Sequence, residues 1–187
     1  MKKSFVFAAA FCSVVSIGLM VNAAYQLNTP ASAVSANIHG PSGLNITAKN
    51  NSLQIDDSGD TVKINVAADK FDTGISLRDK HTREAIEADK YPNITLSIPD
   101  SAIHVPTDSN IVVTDTVKGN LTFHGVVKEV SVNYKLKNDC QGHLSLDADF
   151  VFDMRDFGIK PPSYLGIGVK PDVQVRTSLF INTDDKC

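Results

Sequence analysis

The sequence predicts an all-β fold: an antiparallel sandwich or closed barrel of about eight strands with one short helical insertion. Apolar and polar residues alternate along most of the chain, turn-forming clusters separate these runs, and no strand-helix-strand rhythm appears. One charged segment, residues 72–92, departs from the period.

The chain opens with Met1-Lys2-Lys3 and runs from Phe5 to Val21 without a charge, ending in Val21-Asn22-Ala23-Ala24. A short basic start, an apolar run and small or apolar residues at positions −3 and −1 form the pattern of a secretory signal peptide cut after Ala23. An uncleaved anchor is the competing reading, because the run approaches the roughly 20 residues of a spanning helix. Cleavage gives a signal segment 1–23 and a domain 24–187 of 187 − 23 = 164 residues. That is enough for one domain with a sizeable core, periplasmic or secreted, with no membrane span left.

Strands follow in order. Val34, Ala36 and Ile38 alternate with polar neighbours, as do Leu44, Ile46 and Ala48, then Val62, Ile64 and Val66. The pattern resumes at Ile94, Leu96 and Ile98, with shorter runs at Ile111 to Val113 and Leu121 to Phe123. It closes with Val130 to Leu136, Leu144 to Phe152, and Val173 to Ile181. Asp57-Ser58-Gly59-Asp60, Lys118-Gly119-Asn120 and Asn138-Asp139-Cys140-Gln141-Gly142 read as turns, so sequential strands should be antiparallel. Closure into a barrel has the advantage of removing exposed edges.

The exceptional segment is "DTGISLRDKHTREAIEADKYP". Ser76 with Asp79 three residues on reads as a helix start, and Pro92 forces Tyr91 out of helical geometry. Its charged side is by default a solvated face.

Composition narrows the function. Losing Lys2 and Lys3 leaves 16 basic against 21 acidic residues, a charge of −5 that repels phosphate backbones, so nucleic acid is not an expected partner. The five histidines have no metal-binding spacing, and no G-x-S-x-G or phosphate-binding loop is present. Asp153 and Asp156 around Arg155 read as a surface ion network rather than an acid/base pair. His124, before Gly125, reads as a strand residue of the wall. After cleavage Cys140 and Cys187 remain, in a compartment where a disulfide persists. Cys140 lies in a turn and the final strand returns to the same end of a barrel, so a Cys140 to Cys187 bridge is expected.

Three blocks resemble the YceI-like family: "FDTGISLRDKHTREAIEADKYPNITL", "GNLTFHGVVKEVSV" and "DFGIKPPSYLGIGVKPDVQV". They stand in family order and cover roughly residues 61 to 182, while residues 25 to 60 match weakly. The resemblance implies a lipocalin-like barrel, usually periplasmic, whose apolar interior holds an isoprenoid lipid such as a prenyl quinone or prenyl pyrophosphate. It calls for no cofactor beyond that lipid, and for no catalytic residue. A strand of about 12 residues spans on the order of 40 Å, the reach of an extended chain. Alanines among the alternating positions, Ala36, Ala48, Ala68 and Ala148, would leave interior space.

On this reading Ile64, Val66, Phe71, Leu96, Val132, Phe150, Phe152 and Val175 face the tail. Arg78 and His81, in the helical insertion that caps the barrel, offer donors to its head. A bridge from Arg78 to Asp72 or Asp79 is the competing structural role. An enzyme using His81 or His124 as acid or base, and a ligand-free structural protein with a filled core, stand as alternatives. The sequence leaves a homodimer open.

Overall fold

The structure, a computed structural model, describes residues 25–57, 59–164 and 167–183. The expected signal segment and Cys187 lie outside the described residues. Among the described residues twelve strands and one α-helix follow in chain order. The first five strands are β1 (Tyr25–Leu27), β2 (Ala33–His39), β3 (Asn45–Asn50), β4 (Leu53–Asp57) and β5 (Thr61–Ala67). Helix α1 (Ser76–Ala85) precedes β6 (Asn93–Pro99), β7 (Val112–Phe123), β8 (Val126–Asn138) and β9 (His143–Asp153). A two-stranded flap, β10 (Ser163–Tyr164) and β11 (Ile167–Gly168), leads to β12 (Asp172–Thr183).

Ten strands form one antiparallel sheet in the order β3-β2-β12-β9-β8-β7-β6-β5-β4, with β1 also on β12. Its ends are consecutive in sequence, and the sheet curls into a nearly closed barrel. The backbone groups of Lys49 and Asp72 exchange two hydrogen bonds of 2.8 Å across the seam. Asn50 adds a bond from Nδ2 to the Ala67 carbonyl at 2.8 Å.

Alternation places one face of each strand inside. Along β8, Val130, Val132, Tyr134 and Leu136 are buried while Glu129, Ser131, Asn133 and Lys135 are exposed. Val117 on β7, Leu144 on β9, and Leu179 and Ile181 on β12 are buried in the same core cluster and fill the half of the barrel that holds the β8–β9 turn. Residues 100–111 close that end. Tyr134 Oη accepts from the His104 N–H at 3.0 Å, and Asn138 Nδ2 donates to the Pro106 carbonyl at 3.1 Å.

The structure alters several sequence expectations. Strand β4 escapes the alternation rule because only Leu53 and Ile55 carry it, yet it pairs along its length with β5. Leu44 has the right parity but precedes β3 and is exposed. The runs at Ile111 to Val113 and Leu121 to Phe123 largely join as β7, with Gly119 inside the strand rather than in a turn. A Cβ at Gly119 would lie 3.0 Å from Leu96 Cδ1 and 3.1 Å from Ile98 Cγ1, so this glycine lets β6 press against β7. Gly119→Ala is expected to destabilise the barrel by about 1–3 kcal/mol through overpacking, measured by chemical denaturation.

Candidate functional site

The other half of the barrel is not filled. A cavity of about 180 Å³ lies there, under the segment that links β5 to β6. One row of ladder partners explains the space: Phe150, Val175, Ala36 and Ala48 sit side by side on β9, β12, β2 and β3. The two alanines stop short of the centre, whereas the rows of the packed half carry leucine and isoleucine. Facing them is a cluster of phenylalanine rings. Phe123 and Phe152 meet edge to face at 5.8 Å, and Phe152 meets Phe157 at 5.3 Å in the same manner.

Of the residues expected to face a ligand tail, Ile64, Val66, Phe71, Leu96, Phe150, Phe152 and Val175 line this cavity. Val132 does not; it is 2% exposed and belongs to the packed half. Ala68 and Ala148 do not line it either. The strand pattern alone did not point to Thr82, Ala85 and Ile86 of the cap, or to Met154, Ile159 and Pro162 of the β9–β12 connection, all of which complete the wall. The last two stand in the "FGIKPP" stretch, the available signal for them.

Among the described residues the cavity has two polar side chains in its wall, Thr82 and Thr177, and both hydroxyls donate to backbone. Thr82 Oγ1 donates to the Arg78 carbonyl at 2.9 Å and Thr177 Oγ1 to the Ala33 carbonyl at 3.1 Å. Among the described wall residues no side-chain donor is left to meet a carbonyl, phosphate or hydroxyl inside. Such a wall suits hydrocarbon and rejects polar groups, whose desolvation would go uncompensated.

The cap is held by polar anchors. Asp72 forms the seam bridge to Lys49 and accepts from the Gly74 N–H at 2.7 Å. Gly74 has φ +76°, a conformation that suits glycine. Ser76 does not cap α1. Asp79 reaches back instead to accept from Thr73 N at 2.8 Å and Thr73 Oγ1 at 2.5 Å. The Thr73 hydroxyl, then its N–H, hold the Asp79 carboxyl below its usual range. This anchor is therefore intact at neutral pH and lost only as pH falls through that lowered range. The D-T-G run is thus a joint between barrel and cap, with each of its residues fixing backbone.

Arg78 and His81 do not line the cavity. The bridge from Arg78 to Asp72 or Asp79 is not formed either, since those carboxylates serve Gly74 and Thr73. Two wall residues, Ala85 and Pro162, are solvent-exposed, which places the opening between the end of α1 and the β9–β12 connection. His81 and Arg78 stand four and seven residues before Ala85, on the same side of the helix. They are at the outer rim of the opening rather than within it.

His124 is not a strand residue. With Gly125 it makes the two-residue turn between β7 and β8, φ 50° and 74°, a type I′ geometry set by the Phe123–Val126 pair. Asp153 and Arg155 form a surface pair, Nε to Oδ1 at 2.9 Å, which lowers the Asp153 carboxyl and starts a 3-10 turn. Among the described residues no group of three or more histidines, cysteines or carboxylates is placed to hold a metal ion.

Comparison with known proteins places this geometry. The YceI-like domain model matches residues 25–180, including the region before residue 61 where the motif match is weak. A UPF0312 protein of Pseudomonas paraeruginosa is 31% identical over 108 residues, 55% of this chain and 54% of its own. The chain thus spans about half the length of the curated relatives it matches. Among solved structures, a polyisoprenoid binding domain from Saccharophagus degradans superposes with TM-score 0.71 at 14% identity, covering 86% of this chain and 98% of that one. BcnA of Burkholderia cenocepacia gives TM-score 0.66 at 18% identity, covering 83% and 99%. The barrel, its cap and the matched residues together show that this chain belongs to the YceI-like domain family.

Proposed function

We propose that the protein binds the hydrocarbon tail of an isoprenoid lipid, with the polar head outside the barrel. The observation that carries this reading is the cavity wall, whose two polar side chains both donate to backbone. The polyisoprenoid-binding domain with the same fold supports the ligand class. Binding is favoured over catalysis because neither His81 nor His124 reaches the cavity as an acid or base.

Size limits what the tail does. An apolar cavity of about 150 Å³ takes a benzene-sized group, so 180 Å³ holds roughly one to two five-carbon units. A chain reaching the length of the barrel has no room in the packed half, and the remainder leaves between Ala85 and Pro162. There Arg78 and His81 are available to a head. A prenyl pyrophosphate gains from the Arg78 guanidinium, whereas a quinone has no charge for it to meet.

Organic extraction of natively purified protein with mass spectrometry is expected to yield such a lipid. In binding assays affinity should rise by about 0.8 kcal/mol per methylene until roughly ten carbons are buried, then flatten. Ala36→Leu should abolish binding while keeping or raising thermal stability, because it fills the cavity. Arg78→Ala should weaken a prenyl pyrophosphate far more than a prenyl quinone. Extraction without lipid, together with unchanged binding in Ala36→Leu, would refute the reading.

The proposal includes export to the periplasm, cleavage after Ala23 and a Cys140 to Cys187 bridge. In its support, the Thr183 N–H donates to the Gly142 carbonyl at 2.9 Å, leading the chain end to the turn that carries Cys140. The intact mass of the exported protein, before and after reduction, should start at Ala24 and rise by about two mass units as one bridge opens. Retention of Met1, or an unchanged mass on reduction, contradicts the respective claim.

A further inference from the structure

Two non-glycine residues with left-handed backbone, His124 at φ 50° and Glu87 at φ 48°, meet where the cap touches the barrel. Side chains enter that region reluctantly, so two such residues in contact mark a junction enforced by its surroundings. His124 tips the β7–β8 turn. Glu87 follows α1, and its carbonyl accepts from the Lys90 and Tyr91 N–H groups at 2.9 Å.

The imidazole is 15% exposed. Its Nδ1 lies 2.9 Å from the Phe157 carbonyl, an oxygen that can only accept, so Nδ1 carries the proton of the neutral ring. Nε2 is then a bare lone pair, shut off from solvent and without a hydrogen bond, facing Glu87 Oε1 at 3.5 Å. The second Glu87 oxygen is 3.4 Å from Lys90 Nζ, and the Tyr91 ring lies 4.6 Å from the imidazole. On the remaining side, the turn Met154–Phe157 carries Asp156, which is exposed, and Arg155, which is paired with Asp153.

We propose that His124 and Glu87 form a proton-operated latch that ties the cap to the barrel rim and sets how readily the cavity opens. In the neutral state a lone pair faces a carboxylate and no bond joins them. A proton on Nε2 turns the same approach into a charge-assisted donation to Glu87, while Nδ1 keeps its bond to Phe157. The cap is held more firmly with a proton on Nε2 and loosens without it. Lys90 competes for the second Glu87 oxygen, while the Nε2 approach is made to the first. Thr82, Ala85 and Ile86 wall the cavity from this same segment, so the latch governs ligand entry and exit.

The role in ligand exchange rests on the cavity being the binding site; the latch is tested without ligand. In the full chain, exchange of the Ala88, Lys90 and Tyr91 amides, corrected for intrinsic pH dependence, is expected to slow by roughly three- to tenfold from pH 8 to pH 5. Glu87→Gln should abolish that dependence. His124→Asn, which suits a left-handed turn, should exchange at the high-pH rate throughout. Release of N-phenyl-1-naphthylamine, an apolar probe uncharged in this range, should slow in parallel. Exchange that is independent of pH in the unaltered protein, or a dependence that survives in both variants, overturns the latch. A latch seen by exchange with no probe binding at any pH overturns instead the reading of the cavity as a lipid site.

Discussion

Ala36 and Ala48 are direct partners across the β2–β3 ladder, and the rest of the site depends on their being small. Every strand sends side chains inward at the same spacing, so interior volume is decided by residue size alone. In one half, Leu136, Leu144, Leu146, Leu179 and Ile181 meet along the ladders and fill the interior with branched side chains. In the other, two methyl groups face Phe150 and Val175, and a void opens. Its lining forfeits the dispersion contacts that a filled core would make, a loss of stability that an apolar ligand offsets.

The cap is built to complement that void rather than to seal it by packing. Helix α1 leaves Leu77 62% exposed, while Thr82, Ala85 at the opening and Ile86 just after the helix supply the cap's share of the wall. Its position is fixed mainly by hydrogen bonds at its ends: the Asp72 bridge, the Thr73 to Asp79 pair, and the Ala68 N–H to the Pro92 carbonyl at 2.8 Å. Tyr91 lies over Gly125, where a Cβ would come within 2.7 Å of its ring. A segment with firm ends and a thin apolar face can shift without unravelling the barrel. This arrangement reconciles a small cavity with a long ligand, because the covering element is separable from the wall.

Much of this was legible in the sequence because alternation reports which face is buried. Strands β2, β3, β5, β6, β8, β9 and β12 and most strand-borne wall residues followed from it, β7 only as two separate runs, and β1, β4, β10 and β11 not at all. Alternation is silent about depth, however. Val132 obeys the same period as Val175, and only the partners supplied by the fold decide that one meets Val117 in the packed half and the other meets Ala36 beside a void. Gly119 was misread because a turn and a close strand crossing both call for glycine. His124 was misread because a histidine in a left-handed turn lacks the usual asparagine or glycine signature at that position. The family blocks supplied what periodicity lacked, namely the cap and the β9–β12 connection.

The central claim is that the barrel holds an apolar void in one half and none in the other. Diffraction from crystals of the protein under xenon pressure tests it most directly, since xenon enters dry apolar cavities of this size. The account predicts xenon among Phe123, Phe150, Phe152 and Val175, and none around Val132 and Leu179. Absence of xenon from the first group, or its appearance in the second, would contradict the account.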